Sequence, residues 1–320
     1  MDVTMKYLIQ QVVKGECVLF LGSGSSAACE SPSGGGLLGD GLARAMVRFL
    51  GEDPGNFNAT LMEISEYVEA THPKHRGELD KFIYDRLHDL RPTIGHLLLA
   101  RFPWRAIVTT NYNRAVETGF EVAHQAGVAK HGCVPFRTDA ELSNLQNLQP
   151  DQVPLFKPHG CLSLPNNLDA PMVLTAKDYY ESTKTREKMY AHVTTLAERF
   201  CTLFVGYSLV DYNFNNIYFE LQERLEKYLA ESWSVIPVPA HKAYYMNEVY
   251  SRRSITLIDD KFDTFLIRLA FEAGLMDLPT TDLTVGELLR PQVVQALGTY
   301  ARALPPTIAA EVQNKGVAIP

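Results

Sequence analysis

Short unbroken apolar runs, each closed by glycine or polar residues, punctuate this chain at intervals. They read Cys17 to Leu21 (CVLFL), Arg105 to Thr110 (RAIVTT), Val153 to Lys157 (VPLFK) and Cys201 to Val205 (CTLFV), with two further short strands predicted at Ser234 to Val238 and Ile255 to Ile258. Apolar positions without alternation suit strands covered on both faces of a parallel sheet. Between the runs the spacing changes to that of helices. Val3 to Val13 sets Met5, Leu8, Ile9, Val12 and Val13 on one face, and Asp40 opens a segment that Gly51 stops after Phe49 or Leu50. Ala59 to Ala70, Gly77 to Leu90 and Thr93 to Phe102 follow as helices, then Arg114 to Ala126, two segments within Ala176 to Phe200, Asn213 to Leu229, Lys242 to Tyr250, and Lys261 to Gly274.

Strands that alternate with helices predict an α/β protein: a Rossmann-like, mostly parallel sheet with helices on both faces. Residues 52–102 read as a helical insertion, or lid, between the first two strands. Residues 127–152 are irregular, with room for a short strand near Cys133. The main domain is expected over 1–275, leaving 276–320 as a proline-containing arm suited to assembly.

Composition narrows the function classes. The chain has 320 residues, 46% of them hydrophobic, enough for a core without staples. Thirty basic against 37 acidic side chains give a formal charge of -7, so bulk electrostatics favours neither direct nucleic-acid binding nor an anionic membrane. Cys17, Cys29, Cys133, Cys161 and Cys201 are scattered, with no C-x-x-C pair. That spacing argues for a reducing compartment and against a zinc ribbon or disulfide framework. No run approaches 18 apolar residues, and charges interrupt the N-terminal stretch where a signal peptide would be apolar. A soluble cytoplasmic protein is expected, with no metal.

The chemistry is concentrated where four strands end. The first runs into Gly22, Ser23, Gly24, Ser25, Ser26 and Ala27, a G-x-G-x-x-A turn of the kind that lets backbone approach a pyrophosphate. The acidic residue that a dinucleotide fold places about 20 positions further on is absent; that region is Ser31 to Gly41, SPSGGGLLGDG. The other three strands end in Thr109-Thr110-Asn111-Tyr112-Asn113, in Lys157-Pro158-His159-Gly160 and in Gly206-Tyr207-Ser208-Leu209-Val210-Asp211. In an open parallel sheet, ligands sit outside the carboxyl ends of the strands, so these turns converge on one crevice if the strands are neighbours. Taken singly, His159 also suits a core histidine, Asn111 a left-handed turn, and Asp211 the N-cap of the next helix. His96, in an apolar helix, reads as a packed residue.

Together and in this order the four turns resemble the motifs of the sirtuin (silent information regulator) superfamily, in particular its prokaryotic NAD-cleaving defence branch. Gly22 to Ser26 is similar to that family's GAGxS, Thr109 to Asn113 to T-[TQ]-N-x-D, Lys157 to Gly160 to K-x-H-G, and Gly206 to Asp211 to GxSxxD. The resemblance implies NAD as substrate, bound by Gly22, Ser23, Gly24 and Ser25, with Gly206, Ser208 and Asp211 toward the adenosine and Thr109 and Asn113 also in the binding set. It implies that Asn111 holds the ribose or the attacking water and that His159 is a general base. Asn113 replaces the family's usual aspartate, keeping a hydrogen-bonding amide for the carboxamide while losing a charge. With no cysteine module for a peptide groove, water is the expected acceptor. The resemblance further implies a toxic antiphage effector that is homo-oligomeric and controlled by a partner, a HerA-type ATPase first or an Argonaute-like module second. An NAD-dependent deacylase or ADP-ribosyltransferase, and a catalytically silent NAD or ADP-ribose sensor, are the alternatives.

Overall fold

The computed structural model describes residues 3–31, 39–53, 59–71, 76–163, 171–207 and 231–275. Its centre is a seven-stranded sheet in which every neighbouring pair is parallel. The strands are β1 (Cys17–Leu21), β2 (Ala106–Thr109), β3 (Gly132–Phe136), β4 (Gln152–Phe156), β5 (Cys201–Val205), β6 (Ser232–Val235) and β7 (Ile255–Ile258), in the order β3-β4-β2-β1-β5-β6-β7. All residues of β1, β2, β5 and β6 are buried, which is why the apolar runs of β1, β2 and β5 lack alternation, while the edge strands β3 and β7 are only partly covered. The strand expected at 234–238 begins two residues earlier and stops at Val235. Pro237 and Pro239 follow, and neither has an N–H to continue a ladder.

Successive side chains point to opposite faces, so each strand feeds two cores. Cys17, Leu19 and Leu21 of β1 lie in one, with Ile107, Leu155, Leu203 and Trp233, beneath α1 (Val3–Val13), α5 (Ile94–Leu99), α6 (Ala115–Gln125) and α10 (Phe262–Glu272). Val18 and Phe20 lie in the other, with Val108, Phe156 and Phe204, under α8 (Glu187–Arg199) and α9 (Ala243–Arg252). At about 25 cal/mol per Å² of apolar area removed from water, these two faces are the main stabilising contribution.

A third cluster stands apart. Met46 of α2 (Gly39–Phe49), Ile64 and Val68 of α3 (Leu61–Thr71) and Phe82 and Ile83 of α4 (Arg76–Leu87) pack on Tyr112, Leu162, Met172 and Leu174. These last four residues follow the C-terminal ends of β2 and β4, so α2, α3 and α4 rest over that end of the sheet. The 93–102 segment, grouped with the insertion on sequence, belongs elsewhere: α5 is buried along its whole length in the first core. His96 shows why, since its ring packs on Phe262 and its Nδ1 accepts from the Thr93 backbone N–H at 3.1 Å, closing the helix start. The helix expected at 213–229 and the arm at 276–320 lie outside the described residues, as do Ser208 and Asp211.

One consequence is a pH dependence of stability. His192 on α8 sits 5.3 Å from the Phe156 ring, and burial, with Arg105 nearby, holds its imidazole below the ordinary 6.5. Burial does the same to His131. The folded chain then carries fewer protons at these sites than the unfolded chain, so stability present at neutral pH is lost as pH falls through 6.5 toward the depressed values. The thermal midpoint is expected to be lower at about pH 5.5 than at about pH 7.5. His192→Gln should shrink that difference; an unchanged difference would contradict the assignment.

Candidate active site

The strand order reverses at β1: the chain moves from β1 to β2 on one side and returns to place β5 on the other. Such a switch point opens a crevice outside the carboxyl ends of the strands. Register fixes which residues meet there. Leu21 pairs with Thr109 on one side and Val205 on the other, so the turns beginning at Gly22, Thr110 and Gly206 leave the sheet at one level. Val108 pairs with Phe156, which puts Asn111 and His159, each three residues further on, at a common height.

The glycine turn is knitted into its neighbour by backbone. Gly22 N–H donates to Val205 O at 3.1 Å, Gly24 N–H to Gly206 O at 2.8 Å, and Gly206 N–H to Val235 O at 2.9 Å. Close approach explains the glycines: a Cβ on Gly22 would lie 2.4 Å from Gly206 O, and one on Gly24 would lie 2.7 Å from Gly206 Cα. Ser23 to Ser26 form a short 3-10 turn in which Ser25 and Ser26 are buried and Ser23 is exposed. The Ser25 hydroxyl donates back to Gly22 O at 2.8 Å, so Ser23 is the serine of this turn that faces solvent.

Asn111 is half-buried against this turn. Its Nδ2 donates to Gly22 O at 2.9 Å and lies 3.2 Å from the Ser25 hydroxyl and 3.4 Å from that of Ser26. The amide hydrogens are thereby spent on the protein, and Oδ1 keeps its lone pairs. Thr109 sets this up: its buried hydroxyl donates to Leu21 O at 2.8 Å and accepts from the Asn111 N–H at 3.1 Å. Asn113 differs from expectation. It is 7% exposed, its Nδ2 donates to the Ser26 hydroxyl at 3.1 Å, and its Oδ1 accepts from Ala115 N–H at 3.1 Å. Both ends of the amide expected to meet a carboxamide are engaged inside the protein, pinning the start of α6 to the glycine turn.

His159 is 3% exposed in a turn where Gly160, at φ +87°, donates its N–H to Lys157 O at 3.1 Å. The His159 ring meets Tyr179 edge-on, with centroids 5.3 Å apart at 82°. Three residues hold this turn in place: Arg186 and Glu117, which sequence reasoning did not single out, and Lys157, which it quoted in the K-x-H-G motif without a role of its own. Arg186, fully buried, donates to Pro158 O and, at 2.5 Å, to Pro171 O, and burial lowers its pKa from the ordinary value. Lys157, also fully buried, bonds Asn113 O and Glu117. Glu117 had a readable signal: it stands one residue past Val116 on the face of α6 that turns inward, where an exposed acid has no place.

Tyr179 belongs to α7 (Ala176–Thr185), whose start is tied to the insertion by Arg76. The Arg76 guanidinium reaches Glu69 and Asp178 at 2.8 Å, Asp80 at 3.0 Å and Met172 O at 2.6 Å. Burial alone would lower its pKa, but the Glu69 bond and the Asp80 and Asp178 charges outweigh it and raise the pKa above the ordinary value. Arg76→Ala is expected to cost about 2 kcal/mol of stability, as loss of charged hydrogen bonds does, and to speed amide exchange over 172–179. Unaltered exchange there would sever the link between the insertion and the His159 turn.

Fold and site together define a Rossmann-like α/β domain whose polar turns meet at the switch point of its sheet. Comparison with known proteins narrows this class: residues 105–258 match the SIR2-like domain family. Over 232 residues the chain is 26% identical to the NAD(+) hydrolase ThsA of Bacillus cereus (strain MSX-D12), a match that takes in 71% of this chain and 44% of that protein. The chain thus spans less than half the length of this relative. Among the described residues no group of three or more His, Cys, Asp or Glu side chains is placed to hold a metal, and no helix is long and apolar enough to cross a membrane.

Proposed function

We propose that this chain hydrolyses NAD to ADP-ribose and nicotinamide in the crevice between the Gly22, Asn111 and His159 turns. The observation that carries the reading is Asn111: tethered through its amide hydrogens to Gly22, half-exposed, level with His159, and with Oδ1 left to accept from a ribose hydroxyl or a water. The 26% identity to an NAD(+) hydrolase over 232 residues supports it.

The chemistry asks for orientation more than for power. Nicotinamide leaves as a neutral base from a cationic precursor, through an oxocarbenium-like state, so a placed nucleophile and a proton acceptor suffice. In the proposed step a water oxygen bonds to the ribose carbon C1′ and the C1′–N bond breaks, its electron pair leaving with nicotinamide. His159 takes the water proton, which an imidazole can do near neutral pH. Gly22, Ser23, Gly24 and Ser25, with Thr109 behind them, would line the phosphate and ribose side, and Gly206, Ser208 and Asp211 the adenosine side. Water is preferred over a peptide acceptor because the cysteines a zinc module would need stand apart, in β1, β3 and β5 and after the first and fourth strands.

Uncontrolled NAD loss would kill the host cell. We therefore place the chain as the toxic effector of an antiphage system, cytoplasmic, homo-oligomeric, and gated by a partner of the HerA-type ATPase kind or, second, an Argonaute-like module. The test is product analysis after incubation with NAD, alone and with the product of a neighbouring gene. Equimolar nicotinamide and ADP-ribose without any peptide, enhanced by the partner, is the expected result. Unaltered NAD in every mixture would overturn the hydrolase reading, a requirement for an acyl-peptide would replace it with deacylation, and full activity alone, indifferent to the partner, would overturn the gating.

A further inference from the structure

The Asn111 and His159 turns are joined beneath the crevice by a buried ion pair. Lys157 Nζ lies 2.5 Å from Asn113 O, 3.1 Å from Glu117 Oε1 and 3.4 Å from Oε2, with the lysine fully buried and the glutamate 5% exposed. We propose that Lys157 and Glu117 are positioning residues: their ion pair holds the Asn111 and His159 turns in mutual register and so governs the rate of the chemical step. The proposal rests on the hydrolase reading above.

Connectivity gives the pair its leverage. Lys157 is the residue between the end of β4 and Pro158-His159, and its backbone N–H is still in the sheet, donating to Phe136 O at 2.9 Å. Its ammonium reaches across to the backbone of the turn that carries Asn111 and to the first turn of α6 behind it. One side chain therefore fixes the start of the His159 turn, the end of the Asn111 turn and the helix that follows. Neither charge can touch a substrate from this depth, so the role is one of placement.

Stability alone does not demand the pair. Two charges taken out of water pay a desolvation penalty that their attraction roughly repays, and apolar residues of similar volume are often as stable or more so. The two turns also have other ties, Leu162 N–H to Tyr112 O at 2.9 Å and the Tyr112 hydroxyl to Val173 O at 2.5 Å. What those ties do not supply is a directional hold on Asn113 O and on Lys157 itself. Displacing reacting groups by about 1 Å costs on the order of 10²-fold in rate.

The experiment compares the wild-type chain with Lys157→Met/Glu117→Leu, which replaces both charges together, and with Glu117→Gln, which keeps an acceptor for the ammonium. Thermal midpoint, kcat and KM for nicotinamide release, and the ¹⁵N resonances of the His159 ring, assigned against His159→Ala, are read for each. The double variant is expected to unfold within about 3 °C of wild type, with kcat at least about 10-fold lower, KM changed less than about 3-fold, and the His159 resonances shifted and broadened. Glu117→Gln should lose less. Wild-type kcat and unchanged His159 resonances in the double variant would overturn the proposal and leave the pair a structural one. If the wild-type chain releases no nicotinamide, the hydrolase reading fails separately, and the His159 resonances still decide the positioning: shifted supports it, unchanged overturns it.

Discussion

Gly206→Ala is expected to lower the thermal midpoint by about 10 °C and to abolish activity with it. Two effects add at this position. Gly206 has φ +62°, in the left-handed region, where an alanine costs roughly 1–2 kcal/mol. Its Cβ would also stand 2.4 Å from Ser25 N and 2.6 Å from Gly24 C, backbone atoms that cannot yield without parting the β1 and β5 turns. Overpacking of this kind costs typically 1–3 kcal/mol, and here it prises open the floor of the crevice. Gly51→Ala separates the two effects: Gly51 has φ +83° but nothing within 4 Å of its Cβ position. Strain alone predicts a small loss there. Differential scanning calorimetry of the two variants should rank them clearly, and equal losses would show that the interlocked turns contribute nothing beyond backbone strain.

Asn111→Ala is expected to reduce nicotinamide release by at least about 10²-fold while the chain stays folded. The loss of one half-buried hydrogen bond to Gly22 O costs only about 1 kcal/mol. Removing the acceptor that orients a ribose hydroxyl or a water forfeits alignment worth far more in rate than in stability. Asn111→Asp sharpens the point. Its carboxylate would set an oxygen against the Gly22 carbonyl in place of a donor, so the side chain must rotate away, and release should fall comparably although an acceptor is still present. Wild-type turnover by Asn111→Asp would mean that the tether to Gly22 does not orient the residue.

How much of this could be read from the chain follows from which forces are local. The unbroken apolar runs at β1, β2 and β5 mark strands buried on both faces, and parallel strands leave a sheet at one end, so the meeting of the Gly22, Asn111, His159 and Gly206 turns followed from the pattern. What the pattern left open was whether these strands are neighbours, and the order β4-β2-β1-β5 supplies that. By contrast, α5 is apolar all round, and nothing in such a segment says which of two cores receives it; Gly95 and His96 decide it through contacts with α10, about 170 positions away. Asn113 turned inward because Ser26, buried by the glycine turn, offered it a hydroxyl, a pairing across 87 residues. The Lys157 ion pair is hidden for the same reason, since a lysine after a strand reads as a solvated end until the partner acid on α6 is placed beside it. Pro135 in β3 shows the remaining gap: a proline argues against a strand unless the strand is an edge, and edges are known only once the sheet order is known.

The measurement that bears most directly on the account is a matched pair of assays on wild type, Asn111→Ala and His159→Ala, namely NAD binding by calorimetry and nicotinamide release by chromatography, with the proposed partner present throughout. The account predicts that both variants bind NAD within about 3-fold of wild type while release falls at least about 10²-fold. Release at the wild-type rate by either variant would contradict it and move the chemistry out of this crevice.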